Sequence, residues 1–231
     1  NKGVFDQAKI MVLRAVPNGD EYDKDVALAI RYAVDNGAKV INTSFGKGHS
    51  PHKEWVWDAL KYAEQNNVLI VNASGNSGAD VDPGKKKSFV TDEVDGVEIV
   101  SNFLTVGAVG YSYAKNQVAS FSNFGSKNVD VFAPGDKIWS SIPFEKFDYY
   151  SGTSMAAPNT SGVAAVIWSF FPKLKASQVK NIIMRSGMPL YPKVESPSSG
   201  KLVNPKSLSK SGKMVNLYNA LIYASNKNYK K

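Results

Sequence analysis

The stretch Ser151-Gly152-Thr153-Ser154-Met155-Ala156-Ala157-Pro158 puts a serine among glycine and small side chains at the start of a helical run. Its early proline is tolerated there because first-turn amides have no intrahelical partner. A serine hydroxyl attacks a carbonyl only when a base takes its proton, and a helix N-terminus favours the negative charge that builds beside it. Taken alone, Ser154 also fits a simpler role as a residue capping a buried helix. The remaining chemical repertoire is narrow. The chain has no cysteine, which removes disulfides, thiolate zinc sites and cysteine nucleophiles together. Its two histidines, His49 and His52, stand close together in a segment containing glycine and proline.

These residues need a scaffold, and the hydrophobic patterning predicts one. Lys9–Ala15, Lys39–Ser44 and Val68–Ala73 read as strands, while Asp23–Asn36 and Lys53–Asn66 read as the amphipathic helices between them, the first stopped by Gly37. Continuous apolar strands joined by helices imply a mostly parallel sheet with helices on both faces, an α/β fold. Asp80–Val100 reads as a charged loop, Phe103–Val109 and Val129–Ala133 as further strands, and Lys137–Ser151 as a hairpin around Pro143–Lys146. A long helix from about Thr153 to Phe171 is ended by Pro172, Ser177 is expected to cap another that closes at Gly187, and Val215–Ala224 is helical again. Pro189–Ser211 is rich in Pro, Ser and Lys and reads as irregular.

Composition bounds the rest. With 231 residues and 43% apolar content, one domain spanning residues 1–231 is expected. The net charge of +8 is spread along the chain, clustering only at Lys85-Lys86-Lys87 and at Lys227, Lys230 and Lys231, which points to a solvated basic surface and not to a nucleic-acid partner. The longest apolar stretch, Val163–Phe171, is too short to span a bilayer. The first residues carry no signal-peptide pattern.

The serine motif resembles that of the subtilisin-like serine peptidases, the subtilases, and other segments match in the family's order. Asn42-Thr43-Ser44-Phe45-Gly46 resembles the strand end that walls the primary specificity pocket, and Ala73-Ser74-Gly75-Asn76-Ser77-Gly78 the segment carrying the oxyanion-hole asparagine. Val129–Gly135 and Lys213–Asn216 also resemble subtilase segments. The resemblance implies a three-layer fold and a serine endopeptidase acting on polypeptides. Ser154 would be the nucleophile, and Asn76 with the Ser154 amide would bind the oxyanion. Ser44, Phe45, Gly46, Ala73, Ser74 and Gly75 would line a pocket for an apolar or aromatic side chain, and Asn18, Gly19 and Asp20 would form the edge that pairs with extended substrate. Asn76 separates the chain from the sedolisins, which use an Asp at that point. An α/β-hydrolase is excluded by order, because no histidine follows Ser154.

The family's catalytic histidine and aspartate motifs do not occur in the sequence, and neither His49 nor His52 matches. In chain order Asp, His, Ser, both would precede the first matching segment. The expectation is therefore the C-terminal portion of a subtilase catalytic domain, inactive and incomplete alone. An N-terminal segment of the same precursor, in cis or as a second chain, would place a strand between Lys9–Ala15 and Lys39–Ser44. The competing class is an inactive relative that keeps the groove for binding peptides. No cofactor is expected. The resemblance makes a structural calcium conceivable, with Asp80, Asp82, Asp92, Glu93 and Asp95 as oxygen donors, but assigns no metal site, and it implies a secreted, periplasmic or cell-surface location.

Overall fold

The computed structural model describes residues 3–16, 19–85 and 88–227. Two helix-then-strand units come first: α1 (Asp23–Asp35), β1 (Val40–Thr43), α2 (Lys53–Gln65) and β2 (Leu69–Ala73). A short hairpin, β3 (Glu93–Val94) and β4 (Val97–Glu98), precedes β5 (Phe103–Val109) and β6 (Val131–Pro134). An antiparallel hairpin, β7 (Ile138–Ile142) and β8 (Lys146–Tyr150), leads into the long helix α3 (Thr153–Phe170). Then come α4 (Ala176–Ser186), β9 (Met188–Pro189), β10 (Val194–Glu195), β11 (Leu202–Val203), β12 (Lys213–Met214) and α5 (Leu217–Asn226).

The main sheet has the order β1-β2-β5-β6-β12-β9, parallel throughout except where β9 joins β12. Alternation along the strands sorts side chains to two faces. Leu69, Val71 and Ala73 of β2, Leu104, Val106 and Ala108 of β5, and Val131 and Ala133 of β6 pack with α3, α4 and α5. Ile70 and Phe103 turn the other way, onto Val26, Ile30, Ala59, Leu60 and Ala63 of α1 and α2. The result is the three-layer arrangement, with both faces of the sheet buried. Gly37, at φ +83°, closes α1 in the left-handed conformation, and Ala38 donates back to the Ala33 carbonyl.

Asp80–Val100, expected to be a loop, and Pro189–Ser211, expected to be irregular, carry the short antiparallel pairs β3–β4 and β10–β11, and two further expectations fail. Lys9–Ala15 forms no strand: Ile10 and Val12 are each 85% exposed, and β1 is the edge of the sheet among the described residues. An apolar alternation makes a strand only when a partner supplies the ladder, and β1 does not pair with this segment. Ser177 does not cap α4, which opens at Ala176 with Lys175 as its N-cap, two residues earlier than expected. The Gln178 side chain accepts the Lys175 amide at 2.7 Å, and Asn67 Oδ1 accepts the Ala176 amide at 2.6 Å. A side chain 109 residues away thus sets this helix start.

Candidate active site

The carboxyl ends of β1 and β2 and the N-terminus of α3 meet at one end of the sheet, where open α/β folds generally hold ligands. Ser154 lies in the first turn of α3. Pro158 has no N–H to give the Ser154 carbonyl its helical bond. That carbonyl instead accepts from Ser44 Oγ at 3.0 Å, and Ser154 Oγ donates to the Ser44 carbonyl at 3.1 Å. The strand end and the helix start are therefore joined by two reciprocal bonds. Asn42 Nδ2 holds Ser44 Oγ at 2.9 Å and so orients the pair.

Asn76 reaches the same place from the end of β2. Its Oδ1 accepts from the Thr153 amide at 2.8 Å and from Thr153 Oγ1 at 2.9 Å, while Thr153 Oγ1 accepts the Gly75 amide at 3.0 Å. A backbone N–H can only donate, so the oxygen of the Asn76 amide faces Thr153 and its nitrogen turns the other way. Nδ2 comes within 3.3 Å of where a Cβ on Gly152 would sit. Asn76, Thr153 and Ser154 share a cleft of about 450 Å³ with Phe45, Gly46, Ala73, Gly75 and Ser77. Gly46 cannot be larger, since a Cβ there would lie 2.7 Å from the Phe89 carbonyl that pairs with the Lys47 amide.

Over residues 1–213 the sequence matches the profile of the Subtilase family, Peptidase S8. The chain belongs to the subtilase family. It is 39% identical over 168 residues to the thermophilic serine proteinase of Bacillus sp. (strain AK1), covering 72% of this chain and 37% of that protein. It is 36% identical over 185 residues to the cell wall-associated protease of Bacillus subtilis (strain 168), covering 80% of the chain and 19% of that protein. With the major intracellular serine protease of the same strain it shares 33% over 195 residues, covering 81% and 57%. The chain thus spans between 19% and 57% of the length of these relatives. Among solved structures, the prenylagaramide maturation protease PagA superposes with a TM-score of 0.69 at 27% identity, over 90% of this chain and 70% of that one. A protease from Pseudoalteromonas arctica shares the fold at a TM-score of 0.75, over 96% of this chain and 65% of that one.

The cleft is also built from residues that the sequence pattern did not single out. Asn123 fastens the Ser74–Ala79 turn from below. Its Nδ2 donates to the Ser74 carbonyl at 2.8 Å, and its Oδ1 accepts from Ser77 at 3.0 Å and Ala79 at 3.1 Å. Ser74 is buried beneath the cleft, donating to the Asn123 carbonyl. Thr153 belongs to the serine motif, but its clasp on Asn76 depends on the fold. Asn123 sits in coil, and by residue type it looks like any turn asparagine. Of the expected substrate edge, Asn18 lies outside the described residues, and Gly19 and Asp20 form an exposed bend that does not line the cleft. Glu21, the next residue, does line it.

Neither histidine bonds the Ser154 hydroxyl. His49 is exposed, and His52 stacks on Trp55 at 4.2 Å while its Nδ1 lies 3.5 Å from Glu54. The acidic residues considered as oxygen donors do not converge. Asp82 accepts from Ser126 Oγ and from the Lys127 and Asn128 amides, Asp80 accepts the Asp82 amide, and Asp92 lies in a separate cluster with Lys180 and Lys210. Among the described residues no three metal-ligating side chains group together, and no helix is long and apolar enough to cross a membrane.

Proposed function

We propose that this subtilase chain is the C-terminal part of a single catalytic domain and supplies the nucleophile, oxyanion hole and pocket walls of a serine endopeptidase. The observation carrying the reading is the clasp of Thr153 on Asn76, which frees one amide N–H beside the Ser154 turn. In this reading Ser154 Oγ attacks the peptide carbonyl, and Asn76 Nδ2 and the Ser154 amide donate to the oxygen that becomes negative. Phe45, Gly46, Ala73 and Gly75 wall the pocket for a substrate side chain, with Ser44 and Ser74 setting the wall from behind. The attack needs the Ser154 hydroxyl to exchange its bond to the Ser44 carbonyl for one to a base. We assign that base, and the carboxylate orienting it, to an N-terminal segment of the same precursor. The chain alone is then inactive. The bond from Ser154 to Ser44 also supports a second reading, a peptide-binding protein without turnover. Export is part of the first reading and rests on family resemblance, since the relatives' names include a cell wall-associated and an intracellular protease.

The deciding experiment assays peptide hydrolysis by the complete gene product, by residues 1–231 alone, and by the complete product carrying Ser154→Ala. The expected result is turnover only in the first, with the serine variant down at least about a thousand-fold. Absence of turnover in the complete product, with peptide binding retained, selects the second reading.

A further inference from the structure

Glu21 stands on the wall of the Ser154 cleft just before α1, and it is buried, with 8% of the residue exposed. Its Oε2 has no hydrogen-bond partner. A carboxylate held from water without a donor is costly, so such a group persists where a partner arrives. Among the described residues, the two lysines that line the same pockets as Glu21 are committed elsewhere. Lys47 Nζ pairs with Asp23 Oδ1 at 2.8 Å and donates to the backbone carbonyl of Glu21, not to its carboxylate. Lys53 lies over the Trp57 ring at 5.0 Å. Asp23 in turn accepts from Ser50 Oγ at 2.6 Å and from the His52 amide at 2.9 Å. Burial alone would raise the Asp23 carboxyl, but the hydrogen bonds from Lys47, Ser50 and His52 outweigh it and hold it below the usual range. Asp23 is thus ionised and cancels Lys47, so Lys47 supplies no countercharge to the Glu21 carboxylate.

We propose that Glu21 is a specificity-determining residue of the cleft, selecting peptides that bring a cationic group to its carboxylate, either an Arg or Lys side chain or a free N-terminal ammonium. The proposal rests on the peptidase reading and narrows its substrate class: the walls at Phe45 and Gly46 take an apolar group, and Glu21 takes a charge at another position of the same peptide. A guanidinium fits best, because its planar fork can give a carboxylate two parallel bonds.

The test uses the complete gene product and N-acetylated peptides in which each position in turn holds Arg or its neutral near-isostere citrulline, plus a matched series with a free amino terminus. At one position, the Arg peptide is expected to exceed the citrulline peptide in kcat/KM by roughly ten-fold or more. If the N-terminal ammonium is the ligand, the gap appears between the free and acetylated series instead. In either case Glu21→Gln closes the gap by slowing the cationic peptides, and Glu21→Asp, which keeps the charge, preserves part of it. Equal rates for charged and neutral peptides in both series overturn the proposal, as does a gap that survives Glu21→Gln. The same peptides are titrated against Ser154→Ala by equilibrium binding. A charge preference there is read without turnover, so a failure of the peptidase reading and a failure of the Glu21 assignment give different results.

Discussion

Asn76 is held by its oxygen so that its nitrogen is left to donate, and the value of such an arrangement lies in the donor being fixed before charge develops. Replacing Asn76 by Leu removes the donor and leaves the Thr153 amide and hydroxyl without their acceptor. In the complete enzyme this is expected to lower kcat by about 100-fold to 1,000-fold, the cost of losing such a donor in the subtilisins. KM should change little, because in the proposed role the interaction strengthens only as the oxyanion forms. Matched progress curves at saturating and limiting peptide separate the two terms, and a variant with raised KM and unchanged kcat would move Asn76 out of the oxyanion role. That Ser154 and Asn76 would meet in one cleft was legible because each sits in a run of neighbours with its own pattern. The clasp made by Thr153 and the roles of Asn123 and Glu21 in the cleft were not legible in the same way. Asn123 acts on Ser77 from 46 positions away, Thr153 acts on Gly75 from 78 positions away, and nothing local marks either partner.

At the scale of elements, patterning was readable wherever an element is buried on its own account. The runs at β2 and β5 are apolar because both faces are covered, and α1 and α2 show their buried stripes directly. It failed where a distant partner decides, as with Lys9–Ala15, which carries a strand pattern without a ladder, and the start of α4, which Asn67 sets. A charge cluster joining β4, the start of β6 and α4 was also not legible, since its members are scattered along the chain. Lys210 bonds both Glu98 and Asp130, Lys180 lies 3.4 Å from Asp130, and Asp92 is buried against them. Burial, aided by the Glu98 and Asp130 carboxylates, outweighs the lowering by Lys180 and Lys210 and lifts Asp92 to about 7. The folded protein therefore holds a proton on Asp92 between roughly pH 4 and pH 7 that the unfolded chain releases, so this residue costs stability increasingly as the pH rises through that window. Asp92→Asn is expected to be near neutral at pH 4 and stabilising at pH 8, by at most about 4 kcal/mol for a shift of this size. Urea unfolding of both proteins across that range checks it, and a difference that shrinks as the pH rises would refute the assignment.

The molecule as a whole has one unbalanced side. Among the described residues β1 is an edge whose outward N–H and C=O groups find no ladder, and elsewhere in the N-terminal segment Ile10 and Val12 are exposed. An unpaired sheet edge is a template for another strand, and a chain that also exposes apolar side chains tends to self-associate. The same edge carries Asn42 and leads directly to Ser44, so a strand added there would also stiffen the residue that holds Ser154. Structural completion and catalytic completion thus become one event in the proposed scheme. Co-expression with the N-terminal segment that the proposal invokes is expected to slow amide exchange at Val40–Thr43 by at least about ten-fold, raise Tm and suppress self-association, while exchange in the doubly covered β5 changes little. Hydrogen exchange on the chain with and without that segment gives the answer strand by strand. Unchanged protection at Val40–Thr43 alongside restored hydrolysis would mean that the base docks without extending the sheet, and the scheme linking the edge to the nucleophile would have to be abandoned.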